Sequence, residues 1–429
     1  MSVEIVSLIG RRLWDSRGRP TIEAEIHLAG GAVGRAIAPA GASMGAGEAL
    51  DKRDGGDAFG GLDVTQALAA VNGEIATALA GRDASDQHGC DGAMIALDAT
   101  TDKSRLGGNA LVAASMAIAH AAAANAGMPL WRYLAGDRKD LILPLPEVQI
   151  FGGGAHAGRR VDVQDFMVIA TGAETYAQAL DWTAEVYRAA GAVMDDAGLL
   201  SGVADEGGYW PAFTSNEQAL DFLMRAIERA GFSPGEHVAI SLDIAATDFA
   251  KDARYTLARD QREMAGEELA EMLLGWLKRY PIVAIEDPLA EDDHEAMTSF
   301  TRAAGTNIEV VADDYICTNA ARITDAAARN ACNTALIKPN QAGTLTEAKQ
   351  ALDAARAAGW QSIVSARSGE TEDTTIVHLA VGWGVKQLKV GSFTRSERMA
   401  KWNEGLRIAE ALGQSGGKLP ARSSFPWGG

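Results

Sequence analysis

The chain contains 429 residues, of which 47% are hydrophobic and 22% are charged, so it has the composition of an ordinary globular protein and enough length for two domains. The net charge of -18 argues against nucleic acid as a main partner, because phosphate backbones are bound by an excess of Lys and Arg. The three cysteines are scattered and indicate neither a disulfide framework nor a zinc site. The N-terminal segment lacks the pattern of a signal peptide, and no apolar run reaches the length of a membrane span. We therefore expect a cytoplasmic protein without a membrane partner.

The first part of the chain predicts an α+β domain. Three segments, VEIVSLIG, TIEAEIHLAG and AVGRAIAP, alternate apolar and polar residues, which is typical of a three-stranded antiparallel meander. The Ala-rich stretch that follows predicts helices that cover the meander. Pro144 and Pro146 mark the entry to a second domain. We therefore assign residues 1–135 to an N-terminal α+β capping domain and residues 140–429 to a C-terminal catalytic domain.

Four short apolar runs in the second domain each end on a charged residue. Longer Ala- and Leu-rich segments that look helical separate them, and this alternation is typical of β/α units around a parallel sheet. In a closed β/α barrel, the carboxyl ends of the strands meet at one mouth, where such enzymes place their catalytic residues. We therefore expect one pocket to contain the residues that end these runs, Asp243, Glu286, Asp313 and Lys338.

Three carboxylates in one buried pocket repel each other unless a positive charge lies between them. A hard divalent cation with oxygen ligands satisfies this requirement, and Mg²⁺ is the expected ion. The alternative is that each Asp or Glu only caps the helix that follows it, as Asp often does. Because four successive strands end on charge, we favour a shared metal site over separate caps.

Other polar residues accompany glycine-rich or strand-end segments. His156 follows three glycines, although a lone histidine is more often structural than catalytic. Glu206 lies in an Asp-Glu-Gly-Gly turn, which is a weak signal because the same sequence makes ordinary surface turns. Arg367 and Ser368 follow a predicted strand and precede a predicted helix, and this combination favours an anion site. Lys389 ends one more strand of the series.

Two further segments carry candidate residues. Residues 161–169, VDVQDFMVI, predict a strand that carries Gln164 and Asp165. Residues 39–47 form a loop of small residues around Ser43, which indicates mobility or a close approach of the backbone to a ligand. Without further context, an ordinary connecting loop is the simpler interpretation of that segment.

Long motifs in a fixed order make the chain resemble the enolase family over essentially its whole length. These motifs are DSRGRPTIEAEIHL, GASMG, GGGAHA, VQDFM, ADEGGY, LDIAAT, IEDPLAEDD, ADD, IKPNQAGTL, ARSGETEDT and QLKVGSFTRSERMAK. The resemblance implies an N-terminal α+β cap domain on a C-terminal β/α barrel whose first strands and helices are irregularly ordered. It also implies a lyase that converts 2-phosphoglycerate to phosphoenolpyruvate with two Mg²⁺ ions per active site, and a homodimer or larger homo-oligomer.

The resemblance also implies a role for individual residues. Lys338 matches the base that removes the proton from carbon 2, and Glu206 matches the acid that helps the C3 hydroxyl leave. Asp165 stands where the family has a Glu that supports this acid, and His156 matches a pocket histidine on a mobile loop. Lys389 matches the partner of the substrate carboxylate. The other matches are the ligands of the first Mg²⁺, Asp243, Glu286 and Asp313, the phosphate contacts Arg367 and Ser368, the substrate contact Gln164, and Ser43 on the closing loop near the second Mg²⁺.

Physical chemistry supports this division of roles. A proton next to a carboxylate is very weakly acidic, and metal ions on the carboxylate oxygens stabilise the charge that its removal creates. Lys338 must be neutral to act as a base, so we expect nearby metals and Lys389 to lower its pKa. Hydroxide is a poor leaving group, so an acid such as Glu206 is needed on the other side of the substrate.

Several residues depart from the enolase pattern, and they cluster at the predicted site. Ala366 replaces a histidine next to the phosphate contacts, which removes an imidazole from that position. Asp165 is one methylene shorter than the usual Glu, and Gln149 replaces an upstream Asn. The remaining departures are Ala40 and Met44 in the closing loop, Gly152 and Ala155 before the loop histidine, and Val390 after Lys389.

These departures leave two enzymatic functions open. The first is an enolase with altered residues around its site. The second is an enolase-like enzyme of phosphonate natural-product biosynthesis, of the carboxyphosphonoenolpyruvate synthase type, that uses 2-phosphoglycerate or a related phosphorylated or phosphonate three-carbon acid. A third hypothesis, a non-catalytic enolase-like binding protein, predicts loss of the metal ligands or the base, and the sequence retains them all.

Overall fold

The computed structural model describes residues 2–210, 212–413 and 417–429. The chain begins with an antiparallel sheet of three strands in the order β1-β2-β3, which confirms the predicted meander. The strands are β1 (Ile5–Trp14), β2 (Pro20–Leu28) and β3 (Val33–Ile37).

Helices pack against this sheet, as the Ala-rich sequence predicts. They are α1 (Thr65–Ala70), which continues through a π-helical turn (Val71–Ile75) into α2 (Ala76–Leu79), then α3 (Gln87–Asp98), α4 (Gly108–Asn125) and α5 (Leu130–Ala135). Most side chains of α4 are small and buried, so its backbone packs closely on β2 and β3. A Cβ atom on Gly34 would lie 2.1 Å from the backbone nitrogen of Ala121, and this close crossing therefore requires glycine.

The second domain, from Leu145 onward, contains both strands and helices. The strands are β4 (Leu145–Gly152), β5 (Asp165–Ile169), β6 (Ala239–Asp243), β7 (Ala250–Lys251), β8 (Arg254–Leu257), β9 (Arg262–Ala265), β10 (Ile282–Glu286), β11 (Glu309–Ala312), β12 (Thr334–Ile337), β13 (Gln361–Ser365) and β14 (Gln387–Ser392). The helices are α6 (Tyr176–Asp196), α7 (Asn216–Arg229), α8 (Gly266–Arg279), α9 (His294–Ala304), α10 (Ala320–Arg329), α11 (Pro339–Ala342), α12 (Leu345–Ala357), α13 (Thr375–Trp383) and α14 (Ser396–Leu412).

Eight of these strands close into a barrel in the order β10-β11-β12-β13-β14-β4-β5-β6. Strand β5 runs antiparallel to both of its neighbours, whereas the other adjacent strands are parallel. Helices α6 and α7 follow one another between β5 and β6, which confirms the irregular order that the resemblance implies. The start of β5 therefore lies at the same barrel end as the carboxyl ends of the parallel strands. Asp165 is paired there with Asp243.

Two local predictions are wrong. Strand β5 begins at Asp165 and not at residue 161, because the preceding backbone turns back on the glycines: the Gly154 N–H donates to the Val161 carbonyl at 2.9 Å. The segment between β6 and α8 is not simply helical, because β7, β8 and β9 form a small antiparallel sheet. The sequence feature that indicates this sheet is the alternation along β8, in which Tyr255 and Leu257 are buried and their neighbours are exposed.

A buried carboxyl group lies inside the barrel at the end opposite the predicted site. Glu309 begins β11, and its Oε2 accepts hydrogen bonds from Gln387 Nε2 at 3.0 Å and from Trp427 Nε1 at 2.9 Å. Trp427 stacks on Phe425, and both side chains pack against Leu145. Burial raises the pKa of Glu309 to about 7, against the effect of the two hydrogen bonds.

We expect Glu309→Gln to increase stability at about pH 8 relative to the unchanged chain. The carboxyl ionises near 4.5 when unfolded but keeps its proton to about pH 7 when folded, so the free energy of unfolding falls as the pH rises through this window. A shift of this size corresponds to at most about 3 kcal/mol. Urea unfolding at about pH 5 and pH 8 measures the effect, and an identical pH dependence in the two proteins would contradict it.

Within the described ranges, no helix combines the length and the apolar character that crossing a membrane requires.

Candidate active site

The predicted site residues converge at the carboxyl ends of the barrel strands. Asp243 and Glu286 are the last residues of β6 and β10, and their strands are paired so that these two residues lie opposite each other. Asp313 and Lys338 directly follow β11 and β12. The order of the four charged strand ends in the sequence is therefore also their order around the barrel mouth.

Lys389 of β14 connects carboxylates on one side of the mouth. Its Nζ donates to Asp243 Oδ2 at 2.8 Å and to Glu286 Oε2 at 2.6 Å, and it lies 3.6 Å from Asp165 Oδ2. Gln164 Nε2 also donates to Asp243 Oδ2, at 2.9 Å. Burial lowers the pKa of Lys389, but the charges of these carboxylates outweigh burial and raise the pKa well above its usual value. Lys389 is therefore an ammonium group, which suits a partner of a substrate anion.

Lys338 contacts a different carboxylate. Its Nζ donates to Asp313 Oδ2, while Gln341 Nε2 donates to Asp313 Oδ1 at 2.8 Å. Burial lowers the pKa of Lys338, yet the charge of Asp313 outweighs burial, so the pKa is raised. The lowering of this pKa is predicted for a site that holds metal ions, so it stays a prediction.

The chemistry of the predicted metal ligands suits a hard divalent cation, although Asp243, Glu286 and Asp313 are not one of the groups of described residues whose ligand atoms all lie within 4.8 Å of one another. Among the described residues, Glu286 Oε1 is a buried oxygen without a hydrogen-bond partner. Burial and the nearby charge of Asp243 raise the pKa of Glu286 well above its usual range. A cation beside the two carboxylates would add to the charge of Lys389 and supply a partner for Glu286 Oε1. The donor set that these residues make with Asp313 consists only of oxygen atoms, which Mg²⁺ prefers.

Asp287 follows Glu286 directly, but the sequence pattern did not predict a role for it. Its carboxylate accepts the backbone N–H of Asp313 at 3.0 Å and that of Asp314 at 2.7 Å. Burial and the charge of Asp313 raise the pKa of Asp287 to about 8. The ligand atoms of Asp287, Asp313 and Asp314 all lie within 4.8 Å of one another. Asp287 therefore fixes the backbone that presents Asp313 at the end of β11.

Arg367 is held by the loop of small residues. Its guanidinium donates to Glu48 Oε2 at 2.8 Å and to the Ser43 carbonyl oxygen at 3.0 Å. Ser368 Oγ accepts the backbone N–H of Ala42 at 2.7 Å. The loop is thus fastened to the two residues predicted to contact phosphate, and its interpretation as an ordinary connection is not supported. Glu48 was missed because its link to Arg367 spans 319 residues of sequence.

Three titratable side chains form the other side of the site. His156 Nε2 lies 3.2 Å from Asp165 Oδ1, and His156 Nδ1 lies 3.8 Å from Glu206 Oε1. Burial lowers the pKa of His156, but the charges of Asp165 and Glu206 outweigh it and raise the pKa to about 9. Burial raises the pKa of Asp165, but His156 outweighs it and the pKa is lowered to about 2. The imidazolium and the Asp165 carboxylate therefore form a buried ion pair beside Glu206.

A cavity of about 20 Å³ lies between these groups. The predicted residues that line it are Ser43, His156, Gln164, Asp165, Glu206, Asp243, Lys338, Arg367, Ser368 and Lys389. Glu286 and Asp313 do not line it and contact its wall through Lys389 and Lys338. The volume is enough for about one water molecule, so this arrangement of side chains leaves no room for a substrate. A cleft of about 760 Å³ beside Glu291 contains none of the predicted residues.

Models of one protein family match most of the chain. The enolase N-terminal domain matches residues 5–134, and the enolase C-terminal TIM barrel domain matches residues 140–421. The chain belongs to the enolase family. The fold class predicted from the sequence is confirmed by these matches and by the closed barrel, whereas the exact division at residues 135 and 140 stays a prediction.

The departures from the enolase pattern differ in their position relative to the cavity. Ala366 and Val390 line it. Met44 is 58% exposed and does not line it, although its neighbour Ser43 does. Gln149 is buried and hydrogen bonds to Asp165. Ala366 is therefore the enolase departure that most directly changes the wall of the site beside Arg367.

Proposed function

We propose that this enolase-family protein is a Mg²⁺-dependent lyase that removes the carbon-2 proton of 2-phosphoglycerate and eliminates water to give phosphoenolpyruvate. The observation that carries the proposal is that groups of opposite chemical function line one small cavity. Lys338 and Lys389 line it together with His156 and Glu206. A base, a partner for the substrate carboxylate and an acid for the leaving hydroxyl thus surround a single space.

In the proposed reaction, Lys338 takes the proton from carbon 2, and the electron pair of the broken C–H bond moves into the substrate carboxylate. Mg²⁺ held by Asp243, Glu286 and Asp313 would stabilise this doubly negative group and offset part of the charge of its three ligands. Asp313 would then favour the ammonium form of Lys338 less strongly, as the function of a base requires. Lys389 keeps its proton and pairs with the substrate carboxylate.

Glu206 completes the elimination. It donates a proton to the C3 hydroxyl, the C3–O bond breaks, and water leaves as the C2–C3 double bond forms. His156 Nδ1 lies 3.8 Å from Glu206 Oε1, so the charged imidazole is close enough to act on that carboxyl group. Asp165 holds the charged imidazole in place through its 3.2 Å contact.

Arg367 and Ser368 are the proposed phosphate contacts. The guanidinium of Arg367 is buried and already bound to the Glu48 carboxylate, so it is oriented before the substrate arrives. Ser43 lies on the loop that reaches Arg367, and we propose that this loop closes over the phosphate and contributes to a second Mg²⁺ site.

We expect Mg²⁺ to raise the melting temperature and Glu286→Gln to remove most of this increase. A ligand that binds only the folded state stabilises it by about 2.7 kcal/mol at 100 times its Kd. Thermal unfolding across a Mg²⁺ titration measures the effect, with Glu309→Gln as the matched control because that buried carboxyl lies at the other end of the barrel. Equal Mg²⁺ stabilisation of all three proteins would contradict the assignment of Glu286.

The same titration separates the enzyme from a non-catalytic enolase-like binding protein, which would not need the metal. The retained Lys338, Lys389 and Glu206 in one cavity favour the enzyme.

A second candidate is the phosphonate-pathway enzyme, and the position of Ala366 in the cavity wall favours it. If loss of the imidazole redirected the specificity, Ala366→His is expected to raise phosphoenolpyruvate formation on the order of 10- to 100-fold. Steady-state kinetics with 2-phosphoglycerate test this, and Ala366→Leu controls for added bulk without an imidazole. Unchanged kinetics in Ala366→His would count against the second candidate.

We also propose that the protein acts as a homodimer or larger homo-oligomer in the cytoplasm, on a small phosphorylated or phosphonate three-carbon acid. The enolase-family membership supports the assembly, and sedimentation of the purified chain tests it.

A further inference from the structure

The amide of Gln149 lies between the residues assigned to the elimination step. We propose that Gln149 is a positioning residue that forms a length-compensated pair with Asp165, and that this pair holds His156 and the Glu206 turn in place. The catalytic consequences of this proposal rest on the proposed function, whereas its structural part does not.

Gln149 uses both ends of its amide. It lies on β4 and is 1% exposed. Its Nε2 donates to Asp165 Oδ1, and its Oε1 accepts the backbone N–H of Gly208 at 2.8 Å. A carboxylate oxygen only accepts and a backbone N–H only donates, so these two partners fix the orientation of the amide. One side chain therefore ties β5 to the turn that carries Glu206.

The close contact with the Glu206 turn explains a glycine in it. A Cβ atom on Gly208 would lie 2.2 Å from Gln149 Oε1, so no other residue fits while this hydrogen bond is present. The Asp-Glu-Gly-Gly turn is a weak signal in the sequence. In the structure, its second glycine is a requirement of the Gln149 contact.

The hydrogen bond from Gln149 to Asp165 is compatible with both protonation states of His156. Gln149 Nε2 lies 3.2 Å from His156 Nε2, which lies 3.2 Å from Asp165 Oδ1. A neutral imidazole can accept the second N–H of the amide, whereas an imidazolium donates to Asp165 instead. The hydrogen bond from Gln149 to Asp165 is present in both cases, so the carboxylate keeps its place when the imidazole changes charge.

The lengths of the two side chains compensate each other. Gln149 has one methylene more than the Asn of the enolase pattern, and Asp165 has one methylene fewer than the Glu. The combined number of methylenes is unchanged, so the two exchanges together leave the reach of the pair between β4 and β5 the same. Two departures that look independent in the sequence are one coupled exchange.

The alternative partner of Asp165 makes the role of Gln149 testable. Asp165 Oδ2 lies 3.6 Å from Lys389 Nζ, so a carboxylate released by Gln149 turns toward the ammonium group. The other acidic groups that act on the imidazole are Glu206, Asp243 and Asp248. Loss of the Asp165 partner is expected to lower the pKa of His156 from about 9 by about 1 unit.

The first test is an NMR pH titration of the histidines in the full chain without substrate. The variants are Gln149→Asn, Asp165→Glu and the two combined, and His156→Gln assigns the resonance. We expect Gln149→Asn to lower the His156 midpoint and the double variant to restore it. Gln387→Asn, a buried barrel glutamine that donates to Glu309, is the matched control and should change nothing.

The second test compares product formation with carbon-2 proton exchange on 2-phosphoglycerate. Each single variant should lose phosphoenolpyruvate formation by about 10²-fold or more while exchange falls less, and the double variant should recover most of the loss. A double variant no better than the worse single variant in both tests would overturn the proposal. If the unchanged protein forms no product, the proposed function fails, and the titration still decides the role of Gln149.

Discussion

Lys338→Ala is expected to reduce carbon-2 proton exchange on 2-phosphoglycerate by about 10²- to 10⁴-fold, the usual contribution of a positioned base. Lys338 lines the cavity, and its only hydrogen-bonded carboxylate in the described part of the chain is Asp313. The variant leaves the carboxylates of Asp243, Glu286 and Asp313 in place, so Mg²⁺ should still raise the melting temperature. Exchange of solvent deuterium into the substrate measures the loss.

Lys386→Ala is the matched control for this variant. Lys386 lies next to β14 at the opposite barrel end, where its Nζ donates to the Ser424 carbonyl at 3.1 Å. Exchange should be unchanged in this control. An active Lys338→Ala protein with exchange near that of the unchanged chain would remove Lys338 as the base.

Glu206→Gln is expected to separate the two halves of the reaction. The amide cannot donate the proton that the C3 hydroxyl needs, so phosphoenolpyruvate formation should fall by about 10²- to 10⁴-fold. Lys338 and the metal ligands are untouched, so carbon-2 exchange should persist. Product absorbance and deuterium exchange, measured on the same sample, give the two rates.

Glu309→Gln controls for the loss of a buried carboxyl group away from the cavity. It should change neither rate, because Glu309 lies at the opposite end of the barrel. If exchange and elimination fell together in Glu206→Gln, then Glu206 would support the whole site and would not be the acid of the second step.

The position of the site could be predicted because strand ends are local features. Asp243 and Glu286 end apolar runs, and the closure of parallel strands brings such ends to one mouth whatever the intervening helices do. The same reasoning placed Lys338 and Lys389 without knowledge of a single contact.

The pairing of the charges could not be predicted in the same way. Which carboxylate each lysine contacts depends on side-chain lengths and on distances across the mouth. Lys338 contacts Asp313, whereas Lys389 contacts Asp243 and Glu286. The direction of the Lys338 pKa shift in this structure follows from its contact with Asp313.

Residues that hold the site from a distance were also beyond the sequence pattern. Glu48 reaches Arg367 from another part of the chain, and Gln149 acts through a turn that is 59 residues away. Neither has a local signal, since a buried Glu or Gln shows its partner only in the folded chain. The small sheet around β8 had a local signal, the alternation of buried and exposed residues, which the surrounding helical pattern concealed.

The most direct test of the central claim is to mix the purified protein with 2-phosphoglycerate and Mg²⁺ in deuterated water. Phosphoenolpyruvate is followed by absorbance, and deuterium at carbon 2 is followed by NMR. We predict product formation at roughly 1 to 1000 per second, the ordinary enzyme range, and complete dependence on Mg²⁺. Exchange without product would favour the phosphonate-pathway enzyme. If neither product nor exchange were detected, this result would contradict the assignment of Lys338, Glu206 and the three carboxylates to this reaction.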